Sequence, residues 1–331
     1  MTAQTMRKMN MVQALNDALD VKLATDERVL VLGEDVGVNG GVFRVTDRLY
    51  EKYGDERVID TPLAESGIVG TAIGMALNGL LPVAEMQFLG FLYPAFEQIV
   101  SHVARLRVRS QGQYTVPLVI RAPMGAGVRA PELHSESVES FFVHTPGLKV
   151  VVPSRPADAK GLLISAIEDP DPVIFLEPTK VYRSQKEEVP SGLYRVPIGK
   201  GVRVQSGDDM TVIAWGAMVS VALEAAQRLK RAHGWTADVI DLRTLAPLDR
   251  DLVVASIKKT GRVTIVHEAH QTGGLGGELA ALISEEAFYY LRSPLKRVCG
   301  YDVPVPAFAV EDDYLPTAAR VTAAMVESIT A

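Results

Sequence analysis

Short apolar runs alternate with longer amphipathic stretches along most of the chain. Residues 29–32, 117–121 and 172–175 are nearly continuous apolar runs, which predict strands buried on both faces of a parallel sheet. Residues 11–23 and 66–77 instead repeat apolar positions every three or four residues, which predicts helices. The alternation of the two patterns predicts an α/β fold, with mainly parallel sheets covered by helices.

The same patterns place further elements on both sides of a polar segment. They predict strands at 58–59, 82–88, 148–152, 211–215, 237–240, 263–266 and 295–298. They predict helices at 41–53, 93–107, 156–167, 218–231, 276–291 and 317–329. Residues 182–199 break the rhythm with charged residues, two prolines and two glycines, as is typical of a surface linker. We therefore predict two domains, 1–185 and 201–331, joined by a linker at 186–200.

Length and composition fit two globular domains and exclude several other classes. A chain of 331 residues, with 47% hydrophobic and 22% charged residues, has enough apolar surface to fold. A net charge of −6 argues against non-specific nucleic-acid binding, which needs a basic surface. The most apolar region, 68–96, contains Asn78, Pro82 and Glu85 and falls short of the ~20 apolar residues of a membrane span. Residues 1–10 precede no apolar block, so we expect a cytoplasmic protein without a signal peptide.

Motifs with a direct chemical meaning are few. Three glycine-rich segments, 33–41, 125–127 and 273–277, are explained by tight turns between strands and helices. The third lacks the last glycine of a dinucleotide-binding fingerprint. The segment 267–270 holds two histidines but is one residue too short for a zinc protease motif. Cys299 is the only cysteine, which excludes an intrachain disulfide and a zinc site built on several cysteines.

Glu65 is the most informative single position. It follows a predicted strand and opens a predicted helix in the run Thr61-Pro-Leu-Ala-Glu65-Ser-Gly67. In an open α/β sheet, ligands bind at the carboxyl ends of the strands, which is where this glutamate lies. A carboxylate in the first turn of a helix also stabilises that helix by ~0.3–1 kcal/mol. On spacing alone, helix capping is the simpler explanation.

Eight segments together resemble one protein family. They are Val31-Leu-Gly-Glu-Asp-Val36, Arg57-Val-Ile-Asp-Thr-Pro-Leu-Ala-Glu65, Glu85-Met-Gln-Phe88, His134-Ser-Glu-Ser137, Pro146-Gly-Leu-Lys-Val-Val151, Asp158-Ala-Lys-Gly-Leu-Leu163, Ile240-Asp-Leu-Arg-Thr244 and Val298-Cys-Gly-Tyr-Asp302. Over residues 10–324 the chain resembles the beta subunit of the thiamine-diphosphate-dependent decarboxylase component of 2-oxo acid dehydrogenase complexes. That family is transketolase-like: a pyrimidine-binding domain precedes a smaller C-terminal α/β domain, in agreement with the two blocks predicted above.

The resemblance implies a thiamine diphosphate site built around Glu65. In the family, a glutamate at this position hydrogen-bonds the aminopyrimidine ring and stabilises its imino tautomer, which removes a proton from the thiazolium ring. Gln87 and Phe91 match residues that line the pyrimidine, and Phe88 is their neighbour. Phe91 stands where some members carry tyrosine, so stacking survives but a hydroxyl contact is lost. His134 matches a histidine that acts in acyl transfer to lipoyl, a task that suits an imidazole near neutral pH.

Two further sites are implied by the resemblance alone. Glu34 matches an acidic residue of a proton-conducting channel between the two active sites. The backbone around Ala166, Asp169 and Asp171 resembles a potassium site of some members. The expected ligands are therefore thiamine diphosphate and potassium.

The magnesium motif of this group of enzymes is missing from the chain. Such enzymes bind the diphosphate through magnesium, held by a Gly-Asp-Gly motif and a later Asn-Asn pair, and the sequence contains neither. A buried diphosphate needs its cation, so a separate alpha subunit is expected to hold the magnesium. The resemblance thus implies two alpha and two beta subunits, with each cofactor at an alpha–beta interface. It also implies that a dihydrolipoyl acyltransferase, which carries the lipoyl domain, docks on the C-terminal domain.

The sequence leaves several substrates and two other classes open. Segments 137–142, 182–190 and 297–302 resemble branched-chain members, whereas 129–134 resembles bacterial pyruvate members. We expect a branched-chain 2-oxo acid to be slightly favoured, with pyruvate or acetoin dehydrogenase as alternatives. A non-enzymatic, electron-transfer type of α/β subunit has no need of both Glu65 and His134. A one-chain synthase of the deoxyxylulose type needs the magnesium motif within the same chain.

Overall fold

The computed structural model describes residues 5–306 and 309–331. Its strands are β1 (Met6–Met9), β2 (Val29–Gly33), β3 (Val58–Asp60), β4 (Leu81–Glu85), β5 (Val119–Met124), β6 (Lys149–Val151), β7 (Val173–Pro178), β8 (Glu187–Pro190), β9 (Val202–Gln205), β10 (Met210–Ala214), β11 (Ala237–Asp241), β12 (Thr244–Ala246), β13 (Val263–His270) and β14 (Lys296–Gly300). Its α-helices are α1 (Met11–Thr25), α2 (Leu49–Tyr53), α3 (Glu65–Leu77), α4 (Leu106–Arg109), α5 (Glu139–Val143), α6 (Pro156–Glu168), α7 (Met218–His233), α8 (Arg250–Thr260), α9 (Leu275–Glu286), α10 (Glu311–Tyr314) and α11 (Ala318–Thr330). Strands and helices alternate, which confirms the predicted α/β fold.

The strands form two main sheets. The first has seven strands in the order β12-β6-β7-β5-β4-β2-β3, and all neighbours are parallel except β12 and β6. The second has five strands in the order β14-β13-β10-β11-β9, and all neighbours are parallel except β9 and β11. Strands β2, β4, β5, β7 and β10 are buried along their whole length. Their mainly apolar sequences fit burial on both faces, and the strand order confirms two mainly parallel sheets covered by helices.

Strand β12 joins the first sheet although it lies in the second half of the chain. Thr244 of β12 stands opposite Val151 of β6 in an antiparallel pair. Arg243, just before β12, donates two hydrogen bonds of 3.0 and 2.7 Å to Asp158 of α6. The hydrophobic pattern did not predict this strand, because three residues at a sheet edge are too few to show a period.

The polar segment 182–199, predicted as a surface linker between the domains, contains a short strand. Strand β8 lies within it and pairs with β1, and neither strand was predicted. Lys160 of α6 is fully buried, donates a hydrogen bond of 2.7 Å to the Pro190 carbonyl and pairs with Asp17 of α1 at 2.6 Å. The Val196 N–H donates to the Gly161 carbonyl at 3.1 Å. Contacts with α6 therefore fix the segment in place.

Several helices differ from the pattern-based prediction. Of residues 41–53, only Leu49–Tyr53 is helical, since Arg44 and Arg48 have φ angles of 68° and 62°, outside the right-handed helical region. The predicted helix 93–107 is instead a 3₁₀ helix at Leu89–Ala95, a π-helical turn at Gln98–Val103 and then α4. Pro94 contributes to this break, because it has no N–H to donate to the preceding turn.

Local signals set several helix ends. Asn10 and Gln13 form a capping box at the start of α1, with hydrogen bonds of 2.9 and 3.0 Å. Pro156 occupies the first turn of α6, where its missing N–H costs nothing. Helices α7 and α8 end at Gly234 and Gly261, whose φ angles are 76° and 72°.

Within the described ranges, no helix combines the length and the apolar character required to cross a membrane.

Candidate active site

The candidate site lies where neighbouring parallel strands end side by side. Gly33 of β2 stands opposite Asp60 of β3 on one side and Glu85 of β4 on the other. Glycine is needed at position 33, because a Cβ there would lie 2.6 Å from the Glu85 carbonyl oxygen. The residues that follow these strands, among them Glu34 and Glu65, therefore converge on one edge, as in ligand sites of open α/β sheets.

Glu65 opens α3, and its side chain is half-buried. Among the described residues, none forms a hydrogen bond with its carboxylate. The hydroxyl of Ser66 donates to the Pro94 carbonyl, which holds the first turn of α3 against the 3₁₀ helix that carries Phe91. The first turn of α3, which carries Glu65, is thus held beside that segment, and its unbonded carboxylate is available to a ligand.

Glu34 and Glu65 are close enough for their charges to interact. Burial raises the pKa of the Glu34 carboxyl, and the negative charges of Asp35 and Glu65 raise it further. Asp35, with a φ angle of 59°, turns the chain after β2 and accepts hydrogen bonds from Asn39 at 2.8 Å and from Gln87 at 3.3 Å. The structure therefore places the predicted residues Glu34, Glu65 and Gln87 in one acidic region.

An aromatic cluster continues from this acidic region. The ring centroids of Phe88 and His134 are 4.4 Å apart, those of Phe91 and His134 are 5.0 Å apart, and those of Phe88 and Phe91 are 5.4 Å apart. Phe43 adds a fourth ring, 5.5 Å from Phe88. Sequence reasoning missed Phe43, because it lies in an irregular segment far from Phe88 in the chain. These rings offer apolar surface for a flat ligand and exclude water.

His134 lies on a strained loop. Its Nδ1 is 2.9 Å from the Glu132 carbonyl oxygen. Since a carbonyl can only accept, Nδ1 carries the proton and Nε2 is the nitrogen able to accept one. Arg129 and Leu133 have φ angles of 55° and 69°, a conformation that L-residues keep only when the surroundings impose it.

The residues that match a potassium site lie at and after the end of α6. Lys149 Nζ contacts both carboxylate oxygens of Asp169, at 2.6 and 2.7 Å, and Arg107 contacts Asp171 at 2.7 Å. The Ala166 carbonyl accepts a hydrogen bond of 3.3 Å from the Asp169 N–H. Both carboxylates are thus paired with cationic side chains, and the potassium site stays a prediction. Across residues 5–306 and 309–331, no three His, Cys, Asp or Glu side chains are grouped to hold a metal ion.

A buried ion network joins three neighbouring strands of the first sheet. Arg121 of β5 lies between Glu85 of β4 and Glu177 of β7, and none of the three is more than 5% exposed. Its guanidinium donates to Glu177 at 2.7 and 2.6 Å and also to Glu85. The Tyr182 hydroxyl donates to the same Glu177 carboxylate. Sequence reasoning missed this network, although charged residues inside otherwise apolar strands were the available signal.

A second group of buried acids lies where the two domains meet. Glu139 of α5, Glu268 of β13 and Glu311 of α10 are each at most 8% exposed. Trp215 Nε1 donates to Glu139 at 3.1 Å. Burial raises the pKa of Glu139, and it raises the pKa of Glu268 to about 7. These acids had no part in the site that the sequence predicts.

The raised pKa of Glu268 predicts a pH-dependent difference in stability. Between pH values of about 4.5 and about 7, the unfolded chain ionises this group while the folded chain keeps it protonated. Its contribution to the free energy of unfolding therefore falls as the pH rises through this interval. We expect Glu268→Gln, which cannot ionise, to gain on the order of 2–3 kcal/mol relative to the unmodified chain over the interval.

Denaturant unfolding across this pH range measures the difference. Glu278→Gln, which changes an exposed glutamate of α9, is the control and is expected to show no such trend. A Glu268→Gln difference that stayed constant with pH would contradict the assignment.

Comparison with known proteins identifies the class. The family model described as "Transketolase, pyrimidine binding domain" matches residues 7–185, and "Transketolase, C-terminal domain" matches residues 199–321. A solved structure titled "Split gene transketolase, inactive beta4 tetramer" covers 98% of this chain and 99% of its own, with a TM-score of 0.77 and 28% identity. The two α/β domains are therefore transketolase-like, as the resemblance implies.

Curated relatives define the family more closely. The pyruvate dehydrogenase E1 component subunit beta of Acholeplasma laidlawii is 50% identical over 313 residues, which is 95% of each chain. Its counterpart from Staphylococcus epidermidis is 51% identical over 311 residues, 94% of this chain and 95% of the relative. The chain belongs to the family of beta subunits of the E1 component of 2-oxo acid dehydrogenases.

Proposed function

We propose that this chain supplies the pyrimidine half of a thiamine diphosphate site in an E1 component that oxidatively decarboxylates pyruvate. The main support for the proposal is the Glu65 carboxylate, which is half-buried and free of hydrogen bonds to other described residues, on a helix turn held against the segment that carries Phe91. The residues fit the pyrimidine ring: Glu65 offers a carboxylate, and Phe88 and Phe91 offer ring surface. Gln87 adds a side-chain amide near the same edge.

Each residue has a separate task in this proposal. When bound, thiamine diphosphate supplies the electron sink that decarboxylation of a 2-oxo acid requires. Glu65 holds a proton at the pyrimidine ring, and Glu34, whose pKa is raised, exchanges protons with it. Phe88 and Phe91 exclude water from this proton exchange. Nε2 of His134 takes up and delivers a proton during acyl transfer.

Lipoyl is the acceptor in the proposed acyl transfer. The two electrons left by the departing carbon dioxide break the S–S bond of lipoyl. One sulfur receives the acyl group, and the other takes the proton that His134 delivers. The lipoyl group thus ends with one acylated sulfur and one free thiol.

Pyruvate is the favoured substrate in this proposal. Three segments of the chain favour a branched-chain 2-oxo acid at the sequence level, but the curated relatives of about 50% identity are named as pyruvate dehydrogenase subunits. One methylene in a pocket changes discrimination by only ~1–3 kcal/mol, so a few pocket residues decide between the two acids.

The proposed protein partners follow from the assignment of only half of the cofactor site to this chain. We assign the magnesium and the diphosphate to an alpha subunit, because this chain lacks the Gly-Asp-Gly and Asn-Asn motifs. The proposed assembly has two alpha and two beta subunits, and it passes the acyl group to the lipoyl domain of a dihydrolipoyl acyltransferase. Potassium near Ala166, Asp169 and Asp171 is a further proposed ligand.

Reconstitution with the alpha subunit tests the proposal. Release of carbon dioxide from pyruvate and from 2-oxoisovalerate is measured with thiamine diphosphate, magnesium and an artificial electron acceptor, and oxidation of acetoin is measured in parallel. We expect kcat/KM for pyruvate to exceed the other two by at least about tenfold. The isolated chain, as the matched control, is expected to be inactive and to bind the cofactor weakly.

Each other outcome would support a different function for the chain. Faster turnover of 2-oxoisovalerate or acetoin would move the proposal to the branched-chain or acetoin enzymes. Tight binding of thiamine diphosphate and magnesium by the isolated chain would contradict the split site. No turnover of any of the three would favour the electron-transfer type of subunit.

A further inference from the structure

The loop at residues 125–137, called here the histidine loop, carries His134 and contacts the second domain. The Ala126 N–H donates to the Glu268 carboxylate. The Gly127 N–H donates to one oxygen of Glu311 at 2.9 Å, and the Ser135 hydroxyl is 3.4 Å from the other. Two carboxylates of the second domain thus hold the loop at points on both sides of the histidine.

Both carboxylates are buried against the loop backbone. Glu268 is 8% exposed and Glu311 is 2% exposed. A Cβ at Gly125, whose φ angle is 78°, would lie 2.5 Å from a carboxylate oxygen of Glu268, so only glycine permits this approach. A buried carboxyl group without hydrogen-bond partners is costly, and the loop amides supply those partners. The contacts therefore stabilise both partners and are not incidental surface contacts.

The first domain holds the opposite side of the histidine loop. A Cβ at Gly90 of the 3₁₀ helix would lie 2.3 Å from the Leu133 carbonyl oxygen, which shows how closely the two backbones pack. The Tyr93 hydroxyl donates to Glu136 at 3.2 Å. Arg129 and Leu133, whose φ angles are strained, lie between these contacts on the exposed part of the loop. Strain of this kind persists only when contacts on both sides impose it.

We propose that Glu268 and Glu311 are positioning residues through which the second domain fixes His134 against Phe88. The inference rests on the proposed function, in which His134 serves acyl transfer. It goes further by assigning a task to two acids of the other domain that touch neither the rings nor Glu65. A misplacement of about 1 Å in a reacting group costs up to ~10²-fold in rate, so loss of this support is expected to slow acyl transfer. Decarboxylation, which depends on Glu65 in a separate segment, is expected to change little.

Hydrogen exchange in the assembled alpha–beta enzyme tests the positioning without any substrate. In Glu311→Ala, the amides of 125–135 are expected to exchange faster, while those of β2 and β4 are unchanged. Glu311→Gln keeps a carbonyl oxygen for the Gly127 N–H and is expected to restore the slow exchange. Asp313→Ala removes an exposed acid from the same short helix α10 and is the matched control. Unchanged exchange in Glu311→Ala would overturn the proposal.

The two half-reactions supply the second readout. Acylation of a free lipoyl domain is expected to fall at least about tenfold in Glu311→Ala, while decarboxylation with an artificial electron acceptor stays near its normal rate. Glu311→Gln is expected to recover the transfer rate. Equal losses in both half-reactions, without rescue by glutamine, would show a purely structural role and overturn the proposal.

If Glu311→Ala does not assemble with the alpha subunit, a second variant, Glu311→Asp, takes its place. Glu311→Asp keeps the charge but is one methylene shorter, and the same split between the half-reactions is expected from it. If the unmodified enzyme turned over no 2-oxo acid, the proposed function would fail, but the exchange experiment would still decide the positioning role.

Discussion

Replacing Glu65 by glutamine is expected to lower the turnover of pyruvate by the assembled enzyme about 10²–10⁴-fold, the range of a positioned acid or base. Glutamine has almost the same size but cannot hold and release a proton. No folded-state contact is expected to break, since the structure shows no hydrogen bond between this carboxylate and any residue it describes. The measurement is carbon dioxide release at saturating thiamine diphosphate, which separates slower chemistry from weaker cofactor binding.

The control separates catalysis from helix capping. Asp251 is an exposed acid in the first turn of α8, as Glu65 is in the first turn of α3. Glu65→Gln and Asp251→Asn are each expected to lose about 0.3–1 kcal/mol of stability from the helix dipole. If Glu65→Gln lost only that stability and kept full turnover, the residue would be a cap and the assigned mechanism would be wrong.

Replacing Arg121 by methionine is expected to destabilise the chain by about 3–5 kcal/mol. The substitution keeps an unbranched side chain of similar length but leaves Glu85 and Glu177 buried without their cation. Burial already raises the pKa of Glu85, and Arg121 is the group that opposes this shift. The loss is measured as the change in the denaturant midpoint at constant slope.

A surface ion pair provides the matched control for Arg121. Arg228 pairs with Glu224 one turn away on α7, at 2.6 Å, and both are exposed. Arg228→Met is expected to cost only about 0.3–0.5 kcal/mol. Arg121→Lys, which keeps the charge but loses the planar fork that binds Glu177 at two points, is expected to fall between the two. Similar small losses for both methionine variants would show that the buried network adds no stability.

The elements that the sequence predicts well are those with enough residues to show a period. Helix 11–23 is found at Met11–Thr25, and strand 29–32 at Val29–Gly33. The missed strands β1, β8 and β12 are short and pair with segments distant in the chain. Strand β1 pairs with β8, and β12 pairs with β6. A strand of three or four residues acquires its hydrogen bonds only when its partner is in place, and no local pattern reports that partner.

The residues of the candidate site were likewise predicted only in part. Its predicted members came from family motifs, and the structure brings Glu34, Glu65 and Gln87 to one edge of the sheet. Phe43 was missed because its segment is irregular. Glu268 and Glu311 were missed because each is an ordinary acid in sequence and gains a role only by contact with the other domain.

The linear chain was enough to predict the α/β class, the two blocks of strand–helix alternation and, through motif resemblance, the glutamate at the proposed pyrimidine site. These features depend on local periodicity and on residue identity, both of which are present in the linear chain. Two features became apparent only in the folded chain: Arg121 lies between two buried carboxylates, and the second domain contacts the histidine loop. Such contacts join residues more than 30 positions apart, and the cost of burying a charge depends on what surrounds it after folding.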